Sequence, residues 1–213
     1  MSTDPQLDPA APAIAPRPRP AAPVRRYWSQ RADSHGRWRT DRAGGAEMRA
    51  PGEDLAALRS GLGRPAGTVP ALWRFYTSRT DGQVTPELEA EHAALSLYGL
   101  HQQSQSRPMH MGGITMGKAL RSLHRSGRFG EEAVDRRVAA AVQATSVPAL
   151  VYRLRGLVTQ LRSVEQPLDY DLLLRDIARW DHPESRQRVR RDWGLAYHSW
   201  DARADRASPS KTS

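Results

Sequence analysis

Between Glu53 and Trp200 the apolar residues return at every third or fourth position in segment after segment, and no convincing stretch alternates apolar and polar with period two. A chain patterned this way buries its apolar atoms only as helices that turn one stripe towards one another. The start and stop signals agree. Glu53 to Arg59 reads as a helix with acids in its first turn, closed by Ser60-Gly61, and Gly61, Gly63, Pro65 and Gly67 make a turn-rich connector. Thr68 is placed to cap a second helix with Pro70 early in it, running through Leu72, Trp73, Phe75 and Tyr76. Thr85-Pro86-Glu87 opens a helix through Gln103 whose second half is apolar or small nearly all round, which predicts burial. Further helices are read over Glu131 to Thr145 (Val134, Val138 and Val142 inward), Pro148 to Arg162 (Leu150, Leu154, Leu157, Val158 and Leu161 on one stripe), and Asp169 to Trp180. The last runs from Glu184 to Trp200, with Val189, Trp193, Ala196, Tyr197 and Trp200 inward. The fold class is all-α, a compact bundle-like helical domain over residues 51–202.

The flanks read differently. Residues 1–24 hold seven of the 16 prolines among Ala and Arg, a composition that cannot offset chain entropy by burial. From Arg25 to Arg49, Tyr27, Trp28 and Trp38 are scattered among Arg, Gly and Asp without a period. Residues 1–50 are therefore expected to be a Pro/Ala/Arg-rich, largely disordered tail with at most a partial first helix, and residues 203–213 a second disordered tail.

Charge narrows the partner. The net charge is +9, made of +4 over residues 1–50, −2 over 51–100 and +7 over 101–213, and nearly all the cations are Arg. Such a balance suits a polyanion, and the planar guanidinium matches phosphate geometry. With no cysteine, thiolate catalysis, thiolate metal sites and disulfides are excluded. Met1-Ser2-Thr3-Asp4-Pro5 does not begin a signal peptide and no apolar run is long enough to span a bilayer, so a cytoplasmic protein with no membrane partner is expected.

The candidate site lies on one helix. Winding Thr115 to Arg125 at about 100° per residue places Met116, Leu120 and Leu123 within roughly 60° of each other and Lys118, Arg121 and Arg125 roughly 160–180° away. With the trailing Arg128, these cations have no acid among them between Thr115 and Gly130. Solvated helix faces usually mix signs, and a phosphate backbone would relieve the repulsion. Arg155 and Arg162 share one flank of their helix and Arg153 the other; they suit either a snorkelling rim or a nucleic-acid contact. Arg186, Arg188, Arg190 and Arg191 spread around the last helix near Asp181, Glu184 and Asp192, which favours salt bridging or a protein interface.

Chemistry finds little to work with. His92, His101, His110 and His124 form no His-Glu-x-x-His pattern, and Asp169-Tyr170-Asp171 reads as helix-start acids. The histidines are expected to be packed or hydrogen-bonding residues, with Gln102 and Gln103 bridging the ends of neighbouring elements. Gly61-Leu62-Gly63-Arg64-Pro65-Ala66-Gly67 lacks the Lys-Ser/Thr of a phosphate-binding loop. No catalytic residue, metal or cofactor is assigned, and the aromatic residues read as core or rim anchors.

The ordered set of Arg59 to Gly67, Pro70-Ala71-Leu72-Trp73, Leu100-His101-Gln102-Gln103, Met109-His110 and an Arg-rich, Trp-containing terminal helix resembles the small subunit of the type I-E CRISPR interference complex, Cascade, the CasB family. The resemblance covers roughly residues 53–200. It implies a non-catalytic helical subunit that sits, usually as two copies, among crRNA-containing Cascade subunits and binds target DNA, stabilising the target and displaced strands of the R-loop in antiviral defence. It also implies nucleic-acid roles for Lys118, Arg121 and Arg125, and for Arg64, Arg107 and Arg155; charge pattern adds Arg128 and Arg162. A stand-alone helical DNA-binding regulator is the alternative, but it needs a recognition helix exposing base-reading side chains, and the helix at Thr115 is mainly cationic. A nuclease needs clustered carboxylates, and the acids here are dispersed.

Overall fold

The computed structural model describes residues 25–199; Trp200 and the expectations for residues 1–24 and 203–213 lie outside the described residues. Nine helices occupy that span: α1 (Tyr27–Arg31), α2 (Gly52–Arg59), α3 (Pro70–Trp73), α4 (Pro86–Gln102), α5 (Met116–Arg125), α6 (Glu131–Val142), α7 (Val147–Ser163), α8 (Tyr170–Ala178) and α9 (Pro183–Tyr197). Among the described residues there is no β-strand, only three isolated bridges, so the all-α class holds.

The domain is built about α4. Thr85 holds extended backbone while its hydroxyl accepts from the Leu88 N–H, and Pro86 fills the first turn, where a missing N–H costs no helical bond. Every residue from Ala90 to Gly99 is buried, because α2, α7 and α8 all pack against this helix. Gly99 marks the closest approach of α2: a methyl group there would lie 2.7 Å from Leu58 Cβ. On the other side α7 carries α5 and α6, and its stripe of Leu150, Leu154, Leu157, Val158 and Leu161 is buried throughout. Finally, α9 closes over α5. Gly117 makes that closure possible, since a Cβ there would meet the Trp193 carbonyl oxygen at 2.4 Å.

Two expectations give way. Residues 25–50 are not a tail. Trp28 is fully buried against the rings of Tyr98 and Tyr170, and its indole N–H donates to Asp171 at 2.8 Å. The neighbouring Tyr27 hydroxyl donates to the buried Asp54 at 2.7 Å, and Arg31 and Arg74 pair with the same carboxylate at 2.9 and 2.8 Å. Arg26 reaches the fully buried Glu91 at 2.6 Å. The segment is fixed by single aromatic and ionic anchors on a five-residue helix, too short to display a period.

The second correction concerns α3, which ends at Trp73 instead of continuing through Phe75 and Tyr76. Glu91 explains the stop: its carboxylate accepts from the backbone N–H groups of Thr77 and Ser78 at 2.7–3.0 Å and from the Thr77 hydroxyl at 2.6 Å, drawing the chain out of the helix. Burial opposes the charge on Glu91, but these hydrogen bonds outweigh it and hold the carboxyl below its ordinary value.

Three buried histidines make the fold acid-sensitive. Desolvation pushes His101 from 6.5 to about 3 and also lowers His92 and His110. Each is neutral when folded and gains a proton more readily when unfolded, so its contribution is complete above pH 6.5 and is lost as pH falls below that value. Asp176 and Glu89 oppose them: desolvation raises Asp176 from 3.8 to about 6 and also raises Glu89, so their contributions are largest in acid and fade as pH rises. The three histidines outnumber the two carboxyls, and His101 is shifted further than Asp176. Denaturant titrations are expected to give a lower unfolding free energy at pH 5 than at pH 7; equal or greater stability at pH 5 would contradict this account.

Candidate nucleic-acid interface

The basic helix is anchored at its N-terminal end. Thr115 caps α5 through the Lys118 N–H, and the preceding turn is pinned by Asp169, whose carboxylate accepts from the Gly113 N–H at 2.7 Å and from the N–H groups of Asp171 and Leu172. The Met109-His110 segment runs beside residue 168: the Leu168 N–H donates to the Met109 carbonyl and the Met111 N–H to the Leu168 carbonyl. His110 Nδ1 accepts from the Tyr170 N–H at 3.2 Å. The Met-His element therefore aims the helix that follows it. Met116, Ala119, Leu120 and Leu123 are buried against α6, α7 and α9, which turns Lys118 and Arg125 outwards as the wheel predicts. Arg121 is half-buried, its Nη1 donating to the Ser199 hydroxyl at 2.9 Å, and Lys118 Nζ reaches the Gly113 carbonyl at 3.3 Å. Arg128 is exposed in the turn after the helix.

A second group of cations meets at α7. Arg64 and Arg155, 91 positions apart in the chain, line one cleft of about 260 Å³ between the Gly61–Gly67 turn, α4 and the start of α7. The walls are mostly apolar, with Leu62, Ala66, Ala93, Val147 and Val151 among them. Arg155 also lines an open groove of about 560 Å³ between α6 and α7, together with Arg137, Arg153 and Tyr152. Tyr152 borders both depressions, is 71% exposed, and carries the Arg153 guanidinium 5.6 Å over its ring.

Arg137 and Tyr152 were not among the sequence candidates. For Tyr152 the signal was present: it sits about 180° from the centre of the α7 apolar stripe, where no core role is available. Arg137 has no such signal, because only the fold brings α6 alongside α7.

Other cations serve the domain. Arg162 donates through Nη1 to the Leu100 carbonyl at 3.3 Å and to Gln103 Oε1 at 3.0 Å, closing the end of α4. Gln102 ties down the following loop, donating to the Arg107 carbonyl at 2.9 Å and accepting from the Met109 N–H at 2.8 Å. The Arg107 side chain is exposed on that loop and lines neither depression. On α9, Arg186 and Arg190 turn inwards to the carbonyls of Thr145, Trp180 and Ala144, leaving Arg188 and Arg191 exposed.

The histidines are held in structural bonds. His92 lies between the Tyr76 hydroxyl at 2.7 Å and the Gly61 carbonyl at 3.0 Å, and His101 Nδ1 lies 3.0 Å from the Tyr170 hydroxyl. Among the described residues no group of three or more His, Asp or Glu is gathered as a metal ion requires. None of the described helices is long and apolar enough to cross a membrane.

Comparison with known proteins places this architecture. The crystal structure of CasB from Thermobifida fusca shares 33% identity and superposes with a TM-score of 0.58, covering 70% of this chain and 85% of that one. The crystal structure of M. ruber CasB (24% identity, TM-score 0.56, 76% and 92% covered) and a chain of a CRISPR RNA-guided surveillance complex (22%, 0.53, 70% and 82%) share the fold. No curated protein matches. The sequence model of the CRISPR-associated protein Cse2 matches residues 54–198. A match over that span, joined to one-third identity with a CasB of the same helical fold, means that the chain belongs to the Cse2 family of CRISPR-associated proteins, the CasB subunits.

Proposed function

We propose that this protein is a non-catalytic small subunit of a type I-E RNA-guided surveillance complex, Cascade, which grips nucleic-acid backbone through rigid basic helix faces. In that role it holds target DNA and the displaced strand while the guide RNA reads sequence. The observation that carries the reading is the α5 face: Lys118, Arg121 and Arg125 on one side of a helix whose other side is buried against three neighbours, with no acid between Thr115 and Gly130. A packed helix fixes the backbone that carries these cations, so little backbone order remains to be gained when a phosphate arrives and only the side chains give up rotamer freedom. Energetics suit the task. Exchanging a DNA duplex for a guide heteroduplex is nearly neutral, and a few backbone contacts decide whether the opened state persists.

Arg64, Arg155 and Arg128 extend the cationic surface, and Arg107 adds one more exposed charge on the loop after α4. A second copy of this chain and the crRNA-bearing subunits are its proposed neighbours, in the cytoplasm. The test is co-purification of the full-length chain with the other products of its CRISPR locus. It is expected to enter a complex that contains guide RNA and to bind DNA with an affinity that falls steeply with salt and is indifferent to sequence. Strong preference for one short duplex sequence would favour the stand-alone regulator, and robust cleavage of DNA or RNA with Mg²⁺ would end the non-catalytic reading.

A further inference from the structure

An exposed tyrosine is ordinary; one set between two cation-lined depressions is a more specific arrangement. Tyr152 is 71% exposed, and one side of its ring carries Arg153 in the α6–α7 groove. It also borders the second depression, the mostly apolar cleft of about 260 Å³ that Arg153 does not line. The Gly61–Gly67 turn, α4 and the start of α7 line that cleft, the turn contributing Arg64 and α7 contributing Arg155. Among the described residues that line it the single acid is Glu89, half-buried. A mostly apolar cleft lined also by an exposed aromatic ring, two guanidinium groups and one half-buried carboxylate suits a group that is apolar on its faces, polar at its edge and attached to anions. An unstacked nucleobase with its flanking phosphates has that form.

We infer that the cleft between the Gly61–Gly67 turn and α7 receives a single unstacked base of a bound strand, stacked on Tyr152, with Arg64 and Arg155 holding the neighbouring phosphates. This rests on the nucleic-acid reading above and adds to it a specific receptacle and a residue that reads strandedness. Duplex DNA keeps its bases paired and stacked, so it engages the cations and not the cleft. A single strand engages both. Glu89 then faces the base edge, where a carboxylate accepts from an exocyclic amino group.

The experiment measures fluorescence anisotropy of the full-length chain with a 20-nucleotide single strand and with a duplex of the same length, over a range of salt. The wild-type protein is compared with Tyr152→Ala, Tyr152→Phe and Arg155→Ala. Tyr152→Ala is expected to weaken single-strand binding roughly tenfold, as loss of one base-aromatic stack does, while leaving duplex affinity and the salt slope unchanged. Tyr152→Phe is expected to restore wild-type affinity, and Arg155→Ala to reduce the salt slope on both probes. A 2-aminopurine in the strand is expected to be quenched on binding the wild type and less so on binding Tyr152→Ala. Tyr152 is at the surface, so a thermal melt like that of the wild type verifies that Tyr152→Ala folds. Unchanged single-strand affinity in Tyr152→Ala, or an equal loss on both probes, overturns the base receptacle and leaves backbone binding standing. Failure of the wild type to bind either probe overturns both.

Discussion

Trp28→Ala is expected to lower the unfolding free energy by about 3–5 kcal/mol. For a domain of this size that corresponds to a fall in Tm of about 6–20 °C, at roughly 2–4 °C per kcal/mol. The magnitude follows from three losses at one position. A fully buried indole is removed, leaving a cavity bounded by Tyr98, Tyr170 and His110, whose ring centroids lie 6.0, 5.5 and 6.4 Å from that of Trp28. The hydrogen bond to Asp171 is lost, leaving that carboxylate to the Ser29 hydroxyl at 3.0 Å. Detaching α1 also loosens Arg26 and Arg31 from the buried carboxylates of Glu91 and Asp54, and a buried charge deprived of its partner is costly. Trp28→Phe separates these effects, since it keeps most of the packing and gives up the N–H donor; it is expected to cost less than half as much. A melt of Trp28→Ala that overlays the wild type would mean that residues 25–50 contribute nothing to the domain.

The same region shows where sequence reasoning runs out. Helices α4, α7, α8 and α9 were legible because each carries its own evidence, a cap or an early proline and a stripe long enough to repeat, and α6, which has neither cap nor proline, was legible from the acids of its first turn and its repeating valines. α1 has none of these. Arg26 gives it no side-chain cap, it ends after five residues, and its worth lies in what Tyr27 and Trp28 touch at positions 54, 98, 170 and 171. Non-local anchors leave no local trace. The stop of α3 at Trp73 is a similar case, decided by Glu91 on another helix.

The candidate site divides along the same line. Lys118, Arg121 and Arg125 lie within one helix, so the wheel that placed their apolar partners placed them too, although half-burial of Arg121 depends on α9 and was not legible. Arg64 and Arg155 were single candidates without a shared purpose until the fold set them on one cleft. Arg162 was a candidate phosphate contact, and the fold adds a bond its sequence position did not show, from its Nη1 to the end of α4.

Replacing Lys118, Arg121 and Arg125 together by Ala is expected to weaken DNA binding steeply and to flatten its dependence on salt. Each phosphate neutralised by a cation adds about 0.9 to the slope of log affinity against log salt on duplex DNA, and about 0.7 on a single strand. Loss of three such contacts therefore removes about 2–3 from the slope, and affinity at 50 mM salt falls far more than at 200 mM, where screening has already weakened the wild type. Helicity is expected to persist, because the buried side of α5 is untouched and Thr115 still caps it. Arg121 is half-buried and bonded to Ser199, so Lys118→Ala with Arg125→Ala, both at exposed positions, is the companion variant; it is expected to remove most of the effect without disturbing α9. A packing change alone would lower Tm and leave the salt slope intact, whereas loss of backbone contacts lowers the slope and leaves Tm intact. Wild-type affinity and slope in the triple variant would remove α5 from the interface. In the proposed role, where strand exchange is nearly balanced, loss of the α5 contacts is expected to shorten the lifetime of an opened target, read as faster dissociation of the displaced strand.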